Sequence, residues 1–460
     1  MDERAGSKQE ARGRARVVVI GGGYAGVLAA LRIVGKAARR RVPVAVALVN
    51  PSPQFVERIR LHELAAGRRQ RRLELFRLLG AQVELVIGRV RTIDAAARAV
   101  EVELADGGGA AAEGVAAAGI AAADGGAAEA AVTRRLGYDA LVYAPGSAAD
   151  PEVVPGGREH AFTLADAASS RALHARLRAA RDGDRVVVVG GGLTAIEAAA
   201  EIAEAFPALR VALAARGGVG EGLSERGRAY LGRALGELGV AVRTGVRAVR
   251  VDAGGLLVAR GEAGDGAFER DAAERVAADI VVLAAGFRPA ALAASSGLAT
   301  VAGGRLVVDR WLRAPAHPEI WGVGDAAAAL DGEGAPLRMG CATALPQATY
   351  AAEGIVAALA GDPQPPPFRF VFLFQCISLG RRRGLIQRVD PRDRPLERVL
   401  TGRPGAWAKE LVCRFTVASL RVERLLSGTS SGPGKEPRRQ GAADAAGAAD
   451  YRRLPSGAAT

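Results

Sequence analysis

The chain has 460 residues, enough for two or three domains with substantial cores. Its formal net charge is +13, but only 4% of its residues are aromatic, and no nucleic-acid-reading motif accompanies the basic runs at 68–72 and 381–383, so we expect no nucleic-acid binding. No run of eighteen uncharged apolar residues occurs, which argues against a membrane-spanning helix. Three separated cysteines without a Cys-x-x-Cys pair, and no secretory signal, indicate a cytoplasmic protein without a redox disulfide motif or thiolate zinc site.

The first predicted element is a strand that leads into a glycine-rich turn. The apolar run at 17–21 is typical of a parallel strand covered on both faces. Gly21, Gly23 and Gly26 then follow the G-x-G-x-x-G spacing, and an apolar helix begins at once. These glycines allow a tight turn, close approach of a pyrophosphate and packing of helix on strand, and the helix N-terminus attracts phosphate. The pattern predicts a dinucleotide site.

The next strand ends at Asn50, where dinucleotide-binding units usually carry an acidic residue that bonds the ribose. The Asn50 amide oxygen is expected to accept one such bond. A loop with a short helix follows at 51–67; it contains His62, which we interpret as structural. We expect residues 1–15 to be disordered. The Ala/Gly-rich stretch 105–135 is expected to form a flexible insertion.

The strand, glycine turn and helix occur a second time at 184–202, with Gly190 and Gly192 in the first two glycine places and Ala195 in the third. Two such units imply two dinucleotides, and therefore electron transfer between them. Ala144 and Gly146 in one strand-end turn, and Gly286 in another, are expected to close the two nucleotide-binding halves. Residues 318–328 predict a strand, the turn Gly324-Asp325 and a helix.

Residues 406–426 predict a basic amphipathic helix that lies flat on an anionic membrane. One face would carry apolar residues at Trp407, Leu411, Phe415, Ala418, Val422 and Leu425 or Leu426. Four basic residues would flank or oppose that face: Lys409, Arg414, Arg421 and Arg424. The alternative is a helix packed on the protein's own core or on a second subunit of a homodimer. Beyond residue 428 we expect a disordered tail.

The order of these motifs resembles that of the two-dinucleotide FAD/NAD(P) flavoprotein reductases of the pyridine nucleotide-disulfide oxidoreductase superfamily, and most of all the type II NADH dehydrogenases, without the disulfide. The resemblance implies an α/β fold with two Rossmann-like dinucleotide-binding domains and a short C-terminal membrane-associating or interface region. The FAD-binding domain would comprise 16–150 and 291–364, the NAD(P)H-binding domain 151–290, the amphipathic region 365–427 and the tail 428–460.

The resemblance also implies roles for individual residues. FAD would lie on Gly21, Gly23 and Gly26, with its adenine at the Val90 backbone and its ribityl or pyrophosphate region at Asp325. Gln347 would begin a helix that points its N-terminus at the flavin.

NAD(P)H would occupy the second glycine turn, with Glu197 beside the nicotinamide and the flavin. The alternative for Glu197 is an ordinary first-turn helix glutamate. Because the second strand of that unit ends in Ala215 and Arg216, without an acidic residue, we expect relaxed nucleotide choice or a preference for NADPH.

The expected reaction is hydride transfer from NAD(P)H to FAD, followed by electron transfer to a quinone-type acceptor on the inner face of the cell membrane. Ala342 replaces a second glutamine of the quinone-reducing members, which weakens that acceptor assignment. The sulfide-oxidising relatives need paired cysteines around the flavin. Only Cys341 is expected near it here, so we do not expect sulfide oxidation. The alternatives are a soluble NAD(P)H reductase of another acceptor, such as an electron-carrier protein, and a flavin-binding redox sensor.

Overall fold

The computed structural model describes residues 13–105, 132–260, 273–331 and 334–426. The tail from residue 428 lies outside these ranges, as do most of the N-terminal segment and most of the Ala/Gly-rich insertion, and so do the expectations for them. Two boundaries differ from expectation, because a strand already begins at Ala15 and another, Thr133–Gly137, starts before the expected insertion ends at residue 135.

The strands, in chain order, are β1 (Ala15–Ile20), β2 (Val44–Asn50), β3 (Gln54–Phe55), β4 (Leu73–Glu74), β5 (Val83–Asp94), β6 (Ala99–Leu104), β7 (Thr133–Gly137), β8 (Ala140–Tyr143), β9 (Ser147–Ala149), β10 (Ala161–Thr163), β11 (Arg185–Val189), β12 (Arg210–Ala214), β13 (Ala241–Arg243), β14 (Val246–Asp252), β15 (Gly255–Arg260), β16 (Ala273–Ala277), β17 (Ile280–Leu283), β18 (Phe287–Pro289), β19 (Leu306–Val307), β20 (Arg313–Ala314), β21 (His317–Gly322), β22 (Ala327–Ala328), β23 (Phe374–Ser378), β24 (Gly384–Val389) and β25 (Pro395–Thr401).

The α-helices are α1 (Tyr24–Arg40), α2 (Leu61–Ala65), α3 (Leu75–Leu79), α4 (Gly157–His160), α5 (Ala167–Arg178), α6 (Leu193–Ala205), α7 (Glu225–Glu237), α8 (Leu292–Ser295), α9 (Cys341–Ala360) and α10 (Gly402–Leu426). Short 3₁₀ turns cover Arg58–Arg60, Pro151–Val153 and Gly324–Ala326. Among the described helices, none is long and apolar enough to cross a membrane.

The first sheet has eight strands in the order β20-β21-β8-β1-β2-β5-β6-β7. Strand β1 lies between β2 and β8 and runs parallel to both, and its last four residues are buried, as the unbroken apolar run predicts. Because β21 pairs with β8, the chain returns to this sheet after the second unit. The prediction of a helix directly after the Gly324-Asp325 turn is wrong, because a 3₁₀ turn and the two-residue strand β22 occupy that place.

The second sheet repeats the arrangement with five parallel strands in the order β10-β17-β11-β12-β13. Helix α6 packs on it through a nearly continuous buried surface of alanine and isoleucine. A three-stranded antiparallel sheet of β14, β15 and β16 covers the same domain. The two sheets, each with its own glycine turn at the strand ends, are the fold that the two motifs predict.

The C-terminal region connects the two domains. Its antiparallel sheet β23-β24-β25 places Ile377, Leu379 and Leu385 in the core of the second domain. Helix α10 instead places Val417 and Leu420 in the core of the first domain. The region is therefore part of both cores, as well as carrying the amphipathic helix.

Candidate active site

The first glycine turn has the geometry that each glycine was expected to require. A Cβ atom on Gly21, whose φ is +102°, would lie 2.2 Å from the Ala144 carbonyl oxygen, and one on Gly26 would lie 1.9 Å from the Gly21 oxygen. A Cβ on Gly23 would meet no atom within 4 Å. The first two contacts permit the tight turn and the close packing of α1, whereas Gly23 leaves open space before the helix N-terminus, where a pyrophosphate fits.

Asp325 connects three parts of the first domain. Its Oδ2 accepts a hydrogen bond from Ser147 Oγ at 2.8 Å, and its Oδ1 accepts one from the Gly340 N–H at 2.8 Å. It thereby ties the 3₁₀ turn to the Ala144–Gly146 turn and to the start of α9. Gly146, at φ +72°, again leaves open space at its Cβ position.

Gln347 does not begin a helix, contrary to expectation. Helix α9 starts six residues earlier, at Cys341, and Pro346 lies within it. Proline favours the first helical position, but here Gly340 and its bond to Asp325 fix the start, and Pro346 leaves only one intrahelical hydrogen bond unmade. Gln347 is buried, and its Oε1 accepts the Gly324 N–H at 2.7 Å, so it supports the turn that carries Asp325.

Asn50 has a structural role that the sequence did not indicate. Its Oδ1 accepts the Gly22 N–H at 2.8 Å, and its Nδ2 donates to the Ser52 carbonyl at 2.7 Å. The side chain therefore holds the glycine turn in place from the end of β2; bonding of the ribose stays a prediction. Val90 lies in β5, paired with Val102 of β6, and its contact with the adenine also stays a prediction.

The second glycine turn has the same form. Gly190 has φ +140°, and its Cβ position lies 3.1 Å from the methyl group of Ala195, in the third glycine place. Gly192 leaves open space at the N-terminus of α6. Gly286, at φ +76°, lies in the turn after β17, which pairs with β11, and Arg216 is exposed just beyond β12.

Glu197 lies in a buried group of charges that is assembled from three regions of the chain. Its Oε1 lies 3.0 Å from Lys409 Nζ of α10 and accepts the Ser378 N–H at 3.0 Å, while its Oε2 lies 3.8 Å from His62 Nδ1. Only 11% of the Glu197 side chain and 14% of the Lys409 side chain are exposed. Lys409 was expected among four basic residues that flank or oppose the apolar stripe; it lies on the opposing, buried face, where its ammonium pairs with this carboxylate.

These contacts determine the charge states of the group. Burial works to raise the pKa of Glu197, but Lys409, His62 and the Ser378 N–H outweigh it, and the pKa is lowered. The pKa of Lys409 is raised well above its usual value, because Glu197 outweighs the effect of burial. Burial lowers the pKa of His62. The site thus holds a carboxylate, an ammonium and a neutral imidazole at neutral pH.

All three cysteines lie around Lys409, although we expected only Cys341 near the flavin. Burial raises the pKa of each thiol, to about 12 for Cys413, and the Lys409 ammonium opposes that rise in all three. All three are free thiols. Asp325 and Glu197 both act on the pKa of Cys341, so the start of α9 lies between the two nucleotide-binding motifs.

Sequence reasoning missed two further groups at the first site. Tyr24, the first residue of α1, is buried, and its hydroxyl has no hydrogen-bond partner among the described residues. Burial lowers the pKa of the Arg58 guanidinium, and Asp325 acts against that effect. An unpartnered hydroxyl at the start of α1 and a partly buried cation near Tyr24 and Asp325 fit a bound FAD, which offers hydrogen-bond acceptors and phosphate charge.

Comparisons with known proteins identify the family of the chain. The pyridine nucleotide-disulphide oxidoreductase family matches residues 15–353. An NADH dehydrogenase-like protein of Mycobacterium tuberculosis is 31% identical over 373 residues, covering 76% of this chain and 82% of the relative. An alternative NAD(P)H-ubiquinone oxidoreductase of Arabidopsis thaliana is 27% identical over 404 residues, with coverages of 80% and 72%.

Solved structures support the fold. The NDH2 structure from Plasmodium falciparum in complex with NADH aligns with a TM-score of 0.68 at 13% identity, covering 91% of this chain and 99% of that one. The sulfide:quinone oxidoreductase of Aquifex aeolicus aligns with a TM-score of 0.69 at 18% identity, covering 89% and 92%. The chain belongs to the pyridine nucleotide-disulphide oxidoreductase family as a type II NADH dehydrogenase-like flavoprotein, an NAD(P)H dehydrogenase that uses FAD.

Proposed function

We propose that this NAD(P)H dehydrogenase passes its electrons to a quinone at an anionic membrane surface, the inner face of the cell membrane. The observation that carries the proposal is the two-sided helix α10. One face exposes an apolar stripe, and the other brings Lys409 to Glu197. A site that opens beside an apolar surface suits an acceptor that resides in lipid. The name of the Arabidopsis relative, an NAD(P)H-ubiquinone oxidoreductase, supports the same acceptor class.

The residues of the chain bind and orient the reactants, and FAD, when bound, supplies the two-electron chemistry. Gly23 and the N-terminus of α1 would receive the FAD pyrophosphate, and Asp325 would accept hydrogen bonds from its ribityl region. Glu197 lies between the second glycine turn and the Lys409 ammonium, so it would border the nicotinamide and hold Lys409 at the acceptor. An ammonium there can donate a hydrogen bond to an acceptor oxygen on which negative charge develops.

For the nucleotide, we propose that Gly190, Gly192 and Gly286 hold NAD(P)H and that Arg216 pairs with the 2′-phosphate of NADPH. Ala215, the preceding residue, is buried and offers no carboxylate to repel that phosphate, whereas the Arg216 side chain is exposed at the strand end. Both nucleotides would then be substrates.

The exposed face of α10 has the composition of a membrane-surface helix. Its large apolar residues are 44% to 80% exposed: Trp407, Leu411, Phe415, Val422, Leu425 and Leu426. Phe76, also exposed, neighbours this helix, because Arg424 bonds the carbonyl of the adjacent Arg77. Arg414 and Arg421 are exposed on the helix, and each basic residue near an anionic surface contributes about 1 kcal/mol to binding.

Paired substitutions test this face without disturbing the core. Leu411→Gln with Phe415→Gln removes two exposed apolar side chains, which should weaken binding to anionic phosphatidylglycerol vesicles by roughly tenfold or more, since each buried apolar side chain contributes about 1.5–3 kcal/mol. Leu396→Gln with Leu400→Gln is the matched control, because both leucines are exposed on β25. Cosedimentation at moderate salt measures the binding.

Three other outcomes would count against the membrane. Wild-type protein that ignores anionic vesicles removes the membrane from the proposal. Equal loss in the control pair means that apolar exposure in general, and not this helix, drives binding. A change from dimer to monomer in the Leu411/Phe415 variant, seen by sedimentation, would assign the stripe to a homodimer interface.

A further inference from the structure

Helix α6 carries a second buried glutamate that the roles above do not use. Glu201 lies one helical turn after Glu197 and is fully buried. Its Oε1 accepts a hydrogen bond from Ser378 Oγ at 3.3 Å, and its Oε2 has no hydrogen-bond partner among the described residues. A fully buried carboxyl with one oxygen that accepts no hydrogen bond requires an explanation, because burying such a group is costly.

The pKa of the Glu201 carboxyl lies near neutral pH, so the group can both gain and lose a proton there. Burial raises its pKa to about 7, and nearby Glu63 adds to that rise, while the two arginines of its surroundings, Arg381 and Arg68, act against it. Glu204, one turn further along α6, also raises it. Glu197 differs because Lys409 keeps it ionised.

On its outer side Glu201 is separated from a solvent-filled cleft by the residues that line the cleft. A cleft of about 670 Å³ is lined by Arg68, Glu204, Arg381, Arg382 and Arg383. The two basic runs that stood out in the sequence therefore meet at one place. Arg68 Nε lies 3.7 Å from Glu201 Oε2, so the unbonded oxygen faces a residue that lines the cleft.

On its inner side Glu201 is joined to Glu197 through a single residue. Ser378 donates its backbone N–H to Glu197 at 3.0 Å, and its hydroxyl lies 3.3 Å from two acceptors, Glu201 Oε1 and the Gly380 carbonyl oxygen. A serine hydroxyl both donates and accepts, and its proton can rotate between partners. Glu204, Glu201 and Glu197 thus form a row from the cleft to the buried site, with Ser378 bridging the inner two.

We propose that Glu201 takes protons from the arginine-lined cleft and passes them, through the Ser378 hydroxyl, to the buried site at Glu197. The inference rests on the proposed quinone acceptor. Reduction of a quinone to a quinol consumes two electrons and two protons, and NAD(P)H supplies both electrons and one proton as hydride. The second proton must come from water.

The Glu201 O–H bond breaks as Ser378 Oγ gains that proton, and Ser378 gives its own proton to the Glu197 carboxylate, which delivers it to the acceptor. Glu201 then takes a proton from a water molecule in the cleft. No oxidant or reductant beyond the NAD(P)H and quinone of the proposed reaction is needed.

The test compares two acceptors in the FAD-bound full chain. Glu201→Gln keeps the shape and the Ser378 hydrogen bond but cannot carry a proton. It should slow reduction of a soluble quinone by roughly tenfold or more while leaving reduction of ferricyanide, which takes up no proton, within about twofold. Ser378→Ala should show the same difference. Glu237→Gln, which removes an exposed carboxylate paired with Arg383 at 3.0 Å, should change neither rate.

An infrared titration supplies a readout that does not depend on turnover. The wild-type protein should show the C=O band of a protonated carboxyl that disappears as the pH rises through about 7, and Glu201→Gln should lack it. Quinone reduction at the wild-type rate in Glu201→Gln, equal slowing with both acceptors, or absence of that band overturns the route. A wild-type protein that reduces ferricyanide and no quinone would instead overturn the proposed acceptor, and the infrared titration would still decide whether Glu201 carries the proton.

Discussion

Glu197 and Lys409 form a buried ion pair between the second domain and the C-terminal helix. Removing one partner leaves the other charge buried without compensation, which typically costs about 3–5 kcal/mol, whereas removing both is far less harmful. We therefore expect Glu197→Gln and Lys409→Met each to lower the free energy of unfolding by roughly 3 kcal/mol, and the double variant to recover most of that loss. Urea unfolding of the four proteins at pH 7 measures the coupling.

The pH dependence of this pair follows from the direction of the shift. Because the folded state lowers the pKa of Glu197, the carboxylate contributes stability above its usual pKa of 4.5, and that contribution is lost as the pH falls through the lowered value. The difference between wild type and Glu197→Gln should therefore shrink in acid. Single variants as stable as wild type, or a double variant as unstable as the sum of both, would contradict the ion pair.

The residues at this site show what sequence reasoning could and could not reach. The family resemblance singled out Glu197, and Glu201 had a local signal, since it is the next charge in an otherwise apolar run of helix α6. Lys409 was read as part of a basic face because a helical pattern does not reveal which distant carboxylate will take up a charge. The roles of Ser378 and His62 likewise depend on tertiary contacts.

At the scale of elements, the two strand–turn–helix units were predictable because each is a local pattern of apolar residues and glycines. The start of helix α9 was not, since the resemblance placed it at Gln347, whereas the helix begins at Cys341, after the bond between Gly340 and Asp325. The exposed stripe of α10 was predicted residue by residue. Packing on the protein's own core was the stated alternative, and the opposite face of the helix does pack there, whereas binding of the stripe to a membrane stays a prediction.

The glycine turns allow the two cofactors to be separated by matched substitutions. A Cβ at Gly23 or at Gly192 meets no atom within 4 Å, so alanine at either position should preserve the fold. The added methyl group would occupy the space that a pyrophosphate needs. Gly23→Ala should therefore purify with substoichiometric FAD, whereas Gly192→Ala should keep its FAD and bind NADH at least tenfold more weakly.

Absorbance of the purified proteins and NADH titrations measure these effects. Gly232→Ala in α7, also with open space at its Cβ position, is the control and should change neither cofactor. Full FAD occupancy in Gly23→Ala, or unchanged NADH affinity in Gly192→Ala, would contradict the assignment of the two turns.

At the scale of the whole molecule, the C-terminal region packs on both dinucleotide-binding domains. Val417 and Leu420 lie in the first core and Ile377 in the second. Deletion of this region would therefore unfold parts of both domains, and only substitutions on its exposed face isolate a surface function. The same region brings Lys409 and Ser378 to α6, so the reaction site depends on it as much as on the two nucleotide motifs.

The most direct test of the account is anaerobic stopped-flow absorbance of the purified, FAD-containing protein in two successive mixes. One equivalent of NADH or NADPH should bleach the flavin absorbance at a rate above turnover, and subsequent mixing with a soluble quinone should restore it. A flavin that neither nucleotide bleaches would contradict the enzyme itself. A flavin that is bleached but restored only by a small electron-carrier protein would contradict the quinone.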